Sequence, residues 1–182
     1  MIGVTGHRFL TEIEKLAQGV DQALERIASL APGGSLTVLS SLAEGADMLV
    51  AQRALRRSGA RIIVPLPLPL EEYRQDFDSA DRWVEFQRLL AVAQKVIIFP
   101  DAGQRPHVYQ VAEKYILEHC TALIALWDGK PAQGAGGTAE VVAQARARGL
   151  PIAWVHCGNR VPGTSQPVSL GAEQGIVSFE NI

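Results

Sequence analysis

Cysteine is scarce in this chain of 182 residues, with only Cys120 and Cys157 present. Neither stands in a CxxC or a Cys/His ligand spacing, so no disulfide scaffold and no metal site are expected, and two reduced thiols suit a cytoplasmic protein. An excess of one charge is missing as well. Seventeen Lys plus Arg against 19 Asp plus Glu leave a net charge of −2, and the basic residues are spread along the chain, which offers no footprint for duplex nucleic acid. No apolar run approaches the roughly 20 residues that span a bilayer, so no membrane partner is expected. The opening Met1-Ile2-Gly3-Val4 has neither the basic start nor the apolar stretch of a secretory signal.

Three widespread signatures are also missing. There is no GxGxxG after the first strand, which weighs against a standard dinucleotide fingerprint. There is no GxxxxGK[ST], and without its lysine and hydroxyl a P-loop triphosphate hydrolase is not expected. There is no GxSxG elbow, which weighs against an α/β-hydrolase.

What the chain does have is apolar content, 47% of its residues, arranged in a clear rhythm. Short aliphatic runs at 1–5, 35–40, 61–66, 95–99, 122–127 and 151–156 alternate with longer segments whose apolar residues recur three and four apart. A weaker seventh strand is expected at 175–179. Because the first six runs are nearly continuous, they read as strands buried on both faces, as in a parallel sheet covered by helices. The expected fold is α/β: a doubly wound, mainly parallel, Rossmann-like sheet with helices on both faces. Residues 1–157 are expected to form the Rossmann-like domain and 158–182 a loop-rich tail of the same domain with a possible short last strand, of which 158–173 is expected to run loosely over the surface.

Helices are expected over a stripe beginning at Ile13 with Thr11 as N-cap, and over 45–57, 80–93, 106–119 and 137–148. The proline-punctuated run 65–70 reads as an extended exit from the third strand, leading to a polar loop at 71–81 that can reach over a site.

In such a sheet, ligands bind beyond the carboxyl ends of the strands, where helix N-termini point at the crevice. The residues there are the candidates. After strand one come Thr5, Gly6, His7 and Arg8; the guanidinium suits a phosphate or carboxylate, while His7 reads equally as a packing residue. After strand two come Ser40, Glu44, Gly45 and Asp47, which suit a ribose or phosphate and also suit helix capping. After strand five come Trp127, Asp128 and the glycine turn Gly134, Gly136, Gly137 and Thr138. That turn opens a helix, so free amides and the helix dipole make it the expected phosphate site. Trp127 is expected to face the ligand, with Tyr73 a weaker aromatic candidate.

Gly3-Val4-Thr5-Gly6-His7-Arg8, the Ser40 to Asp47 turn, and Leu126-Trp127-Asp128-Gly129 leading to Gly136-Gly137-Thr138-Ala139-Glu140 resemble the SLOG superfamily. Its Rossmann-like nucleotide-binding domains include the LOG phosphoribohydrolases, the DprA-type proteins and the TRPM sensor domains. The resemblance covers most of residues 1–155 and implies binding of a nucleotide or nucleotide-derived small molecule, with no cofactor. LOG enzymes place a catalytic carboxylate three residues after the threonine of their glycine motif and an arginine on the preceding helix. Here Glu140 comes two after Thr138, Val141 holds the third place, and 106–119 contains no arginine. The resemblance therefore implies a sensor or regulator, with a nucleotide N-glycoside hydrolase using Glu140 as the alternative. A homodimer is compatible with the apolar content.

Overall fold

In the computed structural model, which describes residues 1–30, 35–99, 105–131 and 137–182, the strands assemble into one seven-stranded sheet of order β4-β3-β2-β1-β5-β6-β7. They are β1 (Ile2–Gly6), β2 (Thr37–Leu39), β3 (Arg61–Leu66), β4 (Lys95–Ile98), β5 (Ala122–Trp127), β6 (Ile152–His156) and β7 (Val177–Glu180). The first six are parallel, and β7 runs antiparallel to β6. Beyond β1 the chain winds outward to β4, then crosses back to lay β5 on the free side of β1. Strand order therefore reverses between β1 and β5, which opens a crevice at their carboxyl ends.

The helices are α1 (Ile13–Ser29), α2 (Ala46–Leu55), the single turn α3 (Leu70–Tyr73), α4 (Ala80–Ala91), α5 (Arg105–His119) and α6 (Thr138–Ala147). Side chains alternate across β1 and β5 as a strand requires. Ile2, Val4, Ile124 and Leu126 share a core with Leu16, Val20 and Leu24 of α1 and with Ala46, Leu49 and Val50 of α2. On the opposite face Leu123, Ala125 and Trp127 meet Leu117 of α5 and Val141, Val142 and Ala145 of α6. The doubly wound, mainly parallel Rossmann-like arrangement expected from the apolar runs is thus the one observed. Among the described residues no helix is long and apolar enough to cross a membrane.

Three local expectations need correction. Glu12, not Thr11, is the N-cap of α1; it sits at φ 51°, and no side chain caps the helix. The strand expected at 61–66 forms with those bounds, so the extended exit read over 65–70 shortens to 67–69, between β3 with its Pro65 and α3. Residues 63 and 65 turn their backbone groups toward β2, which ends at Leu39; Ser40 N donates to Ile63 O, and the Ser41 hydroxyl to Pro65 O at 2.8 Å. The donor that proline lacks would therefore have no strand to meet. Nor is the tail loose, because Gln174, only 3% exposed, accepts from the amides of Gly158 and Leu170 and donates to Thr11 O. Both cysteines are free and buried, and burial pushes the Cys157 thiol up to about 12.

Candidate functional site

A cavity of about 360 Å³ opens where the strand order reverses. Its floor is the end of β1, through Val4, Thr5 and Gly6. Two close approaches build that floor. A Cβ on Gly6 would collide with Ala46 and come within 2.8 Å of Leu126 O, so glycine lets α2 begin directly on the β1 turn. Gly45 caps α2 at φ 87°, where a Cβ would stand 2.5 Å from His7 O. Ala46 N then donates to that same carbonyl at 3.1 Å, joining strand end to helix start.

The turn between β2 and α2 is ordered from within. Asp47 is buried; its carboxylate accepts from Ser40 Oγ at 2.7 Å, and the backbone amides of residues 41–43 face it and favour its charged form. Ser40 Oγ in turn accepts from Leu42 N at 3.0 Å. Burial outweighs these bonds and raises the Asp47 carboxyl to about 6. Leu42 is held at φ 56°, a left-handed conformation that costs a leucine roughly 1–2 kcal/mol and persists because the turn is so fully bonded.

The wall opposite the floor comes from the segment read as a polar loop. Its helical turn α3 and the 3-10 turn Arg74–Asp76 bring Tyr73, Asp76 and Phe77 to the cavity. Tyr73 and Phe77 meet edge to face with centroids 5.5 Å apart, and the Tyr73 hydroxyl donates to Ser41 O at 3.2 Å. Arg8 ties this wall to the rest. Its guanidinium donates to the Asp76 carbonyl and lies 3.5 Å from Glu44 Oε2, while Glu44 Oε1 accepts from Asp78 N at 3.3 Å. Burial raises the Glu44 carboxyl, with the Asp78 charge adding to it.

The last side belongs to α5 and α6. Tyr109, Ala112, Glu113 and Ile116 line the cavity, as do Gly137 and Thr138 at the start of α6. The Tyr109 hydroxyl donates to Asp76 Oδ2. The Glu113 carboxyl, near the Gly137 amide, is raised to about 7, first by burial and then by the charges of Glu140 and Asp47.

Of the candidates drawn from sequence, Thr5, Gly6, Arg8, Glu44, Asp47, Gly137 and Thr138 line this one cavity. Ser40 and Gly45 support it from behind. His7 turns away: its Nε2 accepts from Asp128 N at 3.1 Å and lies 3.2 Å from Asp128 Oδ1, and burial lowers its pKa against the pull of that carboxylate. Asp128 is therefore engaged with His7 and with Lys130 N rather than with the cavity. Trp127 does not line the cavity either. It packs with α6 beneath Arg146, and its Nε1 donates to Lys130 O, which directs the indole away from the crevice. Glu140 lies outside the lining, accepting from Gln144 Nε2 at 3.3 Å. Gly134 and Gly136 fall outside the described residues. Helix α5 starts at Arg105, so the premise that the helix before the glycine turn lacks an arginine does not hold.

Sequence reasoning missed Asp76, Phe77, Tyr109 and Glu113. For Glu113 a signal was available: positions 109, 112, 113 and 116 share one helical face, and a carboxylate on that otherwise apolar face is out of place. Among the described lining residues the cavity carries four carboxyl groups and one cation, Arg8. Compared with known proteins, the chain matches no protein-family model and no curated sequence.

Proposed function

We propose that this cavity binds a nucleotide or nucleotide-derived small molecule and that the protein acts as a sensor or regulator. The observation that carries the reading is the position of the cavity: it sits at the topological switch point, with an arginine, two helix starts and a set of aromatic rings converging on it. About 360 Å³ is within the range of small-ligand sites. Arg8 suits a phosphoryl oxygen, Tyr73, Phe77 and Tyr109 offer faces and edges to a base, and the carboxylates accept from sugar hydroxyls. The resemblance of the Thr5 to Arg8, Ser40 to Asp47 and Gly136 to Glu140 turns to the SLOG superfamily supports the same reading.

Isothermal titration against the common ribonucleotides tests it. Saturable binding that Arg8→Ala weakens supports the proposal, and a folded sample that binds none at millimolar concentration overturns it.

A hydrolytic reading is favoured by a different observation. Glu113 holds a proton near neutrality inside the cavity, as a general acid would. An N-glycoside hydrolase would give that proton to the departing base while water attacks the sugar. Release of free base, lost in Glu113→Gln and kept in Glu140→Gln, would assign the proton donor to Glu113; loss in Glu140→Gln alone would return it to the residue singled out by sequence.

A further inference from the structure

Among the described residues, β4 is the one strand whose side chains join no buried core. Its neighbour β3 buries Ile62, Val64 and Leu66 completely, yet Val96 and Ile98 of β4 are 39% and 55% exposed. Position is the cause, because β4 ends the sheet, with β3 on one side and no described strand on the other. Val92, which closes α4 just before the strand, is exposed too, so the apolar surface continues past β4.

The main chain of this edge is open as well. Gln94 N donates to Ile62 O at 2.8 Å, and alternate residues of a parallel strand bond to the same neighbour, so residues 94, 96 and 98 face β3. Lys95, Ile97 and Phe99 therefore turn their N–H and C=O groups outward, where no described residue bonds to them. Sheets blunt such edges with proline, bulges or charges. The opposite edge, β7, carries Glu180 bound to Arg146, whereas β4 has a single lysine at its start.

We propose that β4 is a self-association surface, on which a second copy of this chain lays its own β4 antiparallel across a two-fold axis at Ile97 and doubles the sheet. The strand is complementary to itself in that register. Ile97 faces Ile97 of the second copy, and Lys95 faces its Phe99, so outward groups meet outward groups and about six inter-strand hydrogen bonds form. On one face Val96 packs on Ile98 of the second copy, twice by symmetry, and both leave water.

Charge is matched on the other face. The Lys95 ammonium reaches the negative face of the Phe99 ring of the second copy, a ring that stands edge-on to Tyr115 with centroids 5.6 Å apart. The two lysines stay about 13 Å apart along the strands, beyond a Debye length at physiological salt. An axis one residue away would set Ile98 against Gln94, or Val96 against Pro100, and lose the Val96 to Ile98 pairs.

Sedimentation equilibrium of the full chain reads mass against concentration. Because the shared edge is short, association is expected in the micromolar range and is followed up to roughly 100 μM. The wild type is expected to move from one chain mass toward two and to stop there, since a two-fold axis closes the assembly. In Val96→Lys with Ile98→Lys, like charges face each other across the seam, and the dissociation constant should rise about tenfold or more. Val96→Glu with Ile98→Lys sets opposite charges in the same places and should restore the dimer.

A wild type that stays monomeric throughout overturns the proposal, and so does a mass that climbs past two chains. A dimer that the first variant leaves intact overturns it too, because its interface lies elsewhere. Dimerisation lost in both variants overturns the register. Val96 and Ile98 are already exposed, so both variants are expected to fold. Should the first fail to, Ile98→Lys alone, at the more exposed position, decides on the same criterion.

Discussion

The imidazole of His7 and the carboxylate of Asp128 meet at 3.2 Å, and the Asp128 amide donates to the same His7 nitrogen, so the turns after β1 and β5 are joined across the line where strand order reverses. His7 N also donates to Leu126 O at 3.0 Å, which extends the β1 to β5 pairing one residue past the strand. The crevice therefore has a fixed rear wall.

His7→Ala leaves the Asp128 amide without its partner in a nearly buried setting. The expected loss is about 1–3 kcal/mol, a fall in melting temperature of several degrees for a domain of this size. Thermal unfolding measures it. Ligand affinity should move far less, since His7 does not line the cavity; a large loss of affinity in a variant of unchanged stability would return His7 to the binding site.

A graded glycine series tests how the floor is built. Gly45 and Gly59 both have positive φ, 87° and 74°, but a Cβ on Gly59 meets nothing within 4 Å, whereas on Gly45 it strikes the His7 and Arg8 carbonyls. Gly59→Ala should cost only the backbone strain, about 1–2 kcal/mol. Gly45→Ala should add a collision with main chain that cannot yield, taking the loss above about 3 kcal/mol or abolishing folding. Denaturant midpoints compare them, and similar midpoints would refute the close approach of α2 to the β1 turn.

The sheet was legible in sequence because burial on both faces leaves almost only apolar residues in the middle of β1, β3, β5 and β6, and because Gly45 and Gly137 mark the starts of α2 and α6. The order of the strands was not, since composition does not say on which side of β1 the returning chain lays β5. The floor of the site was readable for a related reason: Thr5, Gly6, Arg8, Glu44 and Asp47 follow strand ends, and strand ends are where a parallel sheet exposes backbone. The walls were not. Asp76 and Phe77 come from the segment folded over between β3 and β4, and Tyr109 and Glu113 from the helix that crosses from β4 to β5, so two separate connections bring them to the rim. Trp127 failed as a candidate because its indole turns away from the crevice onto α6, beneath Arg146, where its Nε1 donates to Lys130 O.

Stability should respond to pH in an unusual direction near neutrality. Glu113 has a folded pKa of about 7, above its ordinary value near 4.5, so the folded state holds a proton that the unfolded chain releases. Its ionisation opposes folding fully above about 7, and the penalty is relieved as pH falls toward 4.5. Asp47, raised to about 6, acts in the same sense between about 6 and 4. His7 acts oppositely, because a lowered imidazole pKa makes the folded state lose stability as pH falls below about 6.5. The melting temperature should therefore fall as pH rises from 6.5 to 7.5, and Glu113→Gln should flatten that slope. A rising or flat profile in the wild type would contradict the placement of Glu113.

Arg8 separates binding from folding most cleanly. Its side chain is 43% exposed, and its contact to Glu44 is long at 3.5 Å, so the ion pair contributes little to stability after screening, on the order of 1 kcal/mol or less. What it does have is reach: it is the one lining cation among the described residues, and its fork of donors matches a phosphoryl group. Arg8→Ala should accordingly leave the melting temperature within a few degrees of wild type while lowering nucleotide affinity about 10- to 100-fold, the loss of one charged hydrogen-bonding group. Arg8→Lys should recover only part of it, because an ammonium restores the charge without the fork. Equal affinity in all three proteins would move the phosphate away from Arg8, whereas a collapse of stability in Arg8→Ala would show that the tie to the Asp76 carbonyl holds the wall in place and that the guanidinium is structural.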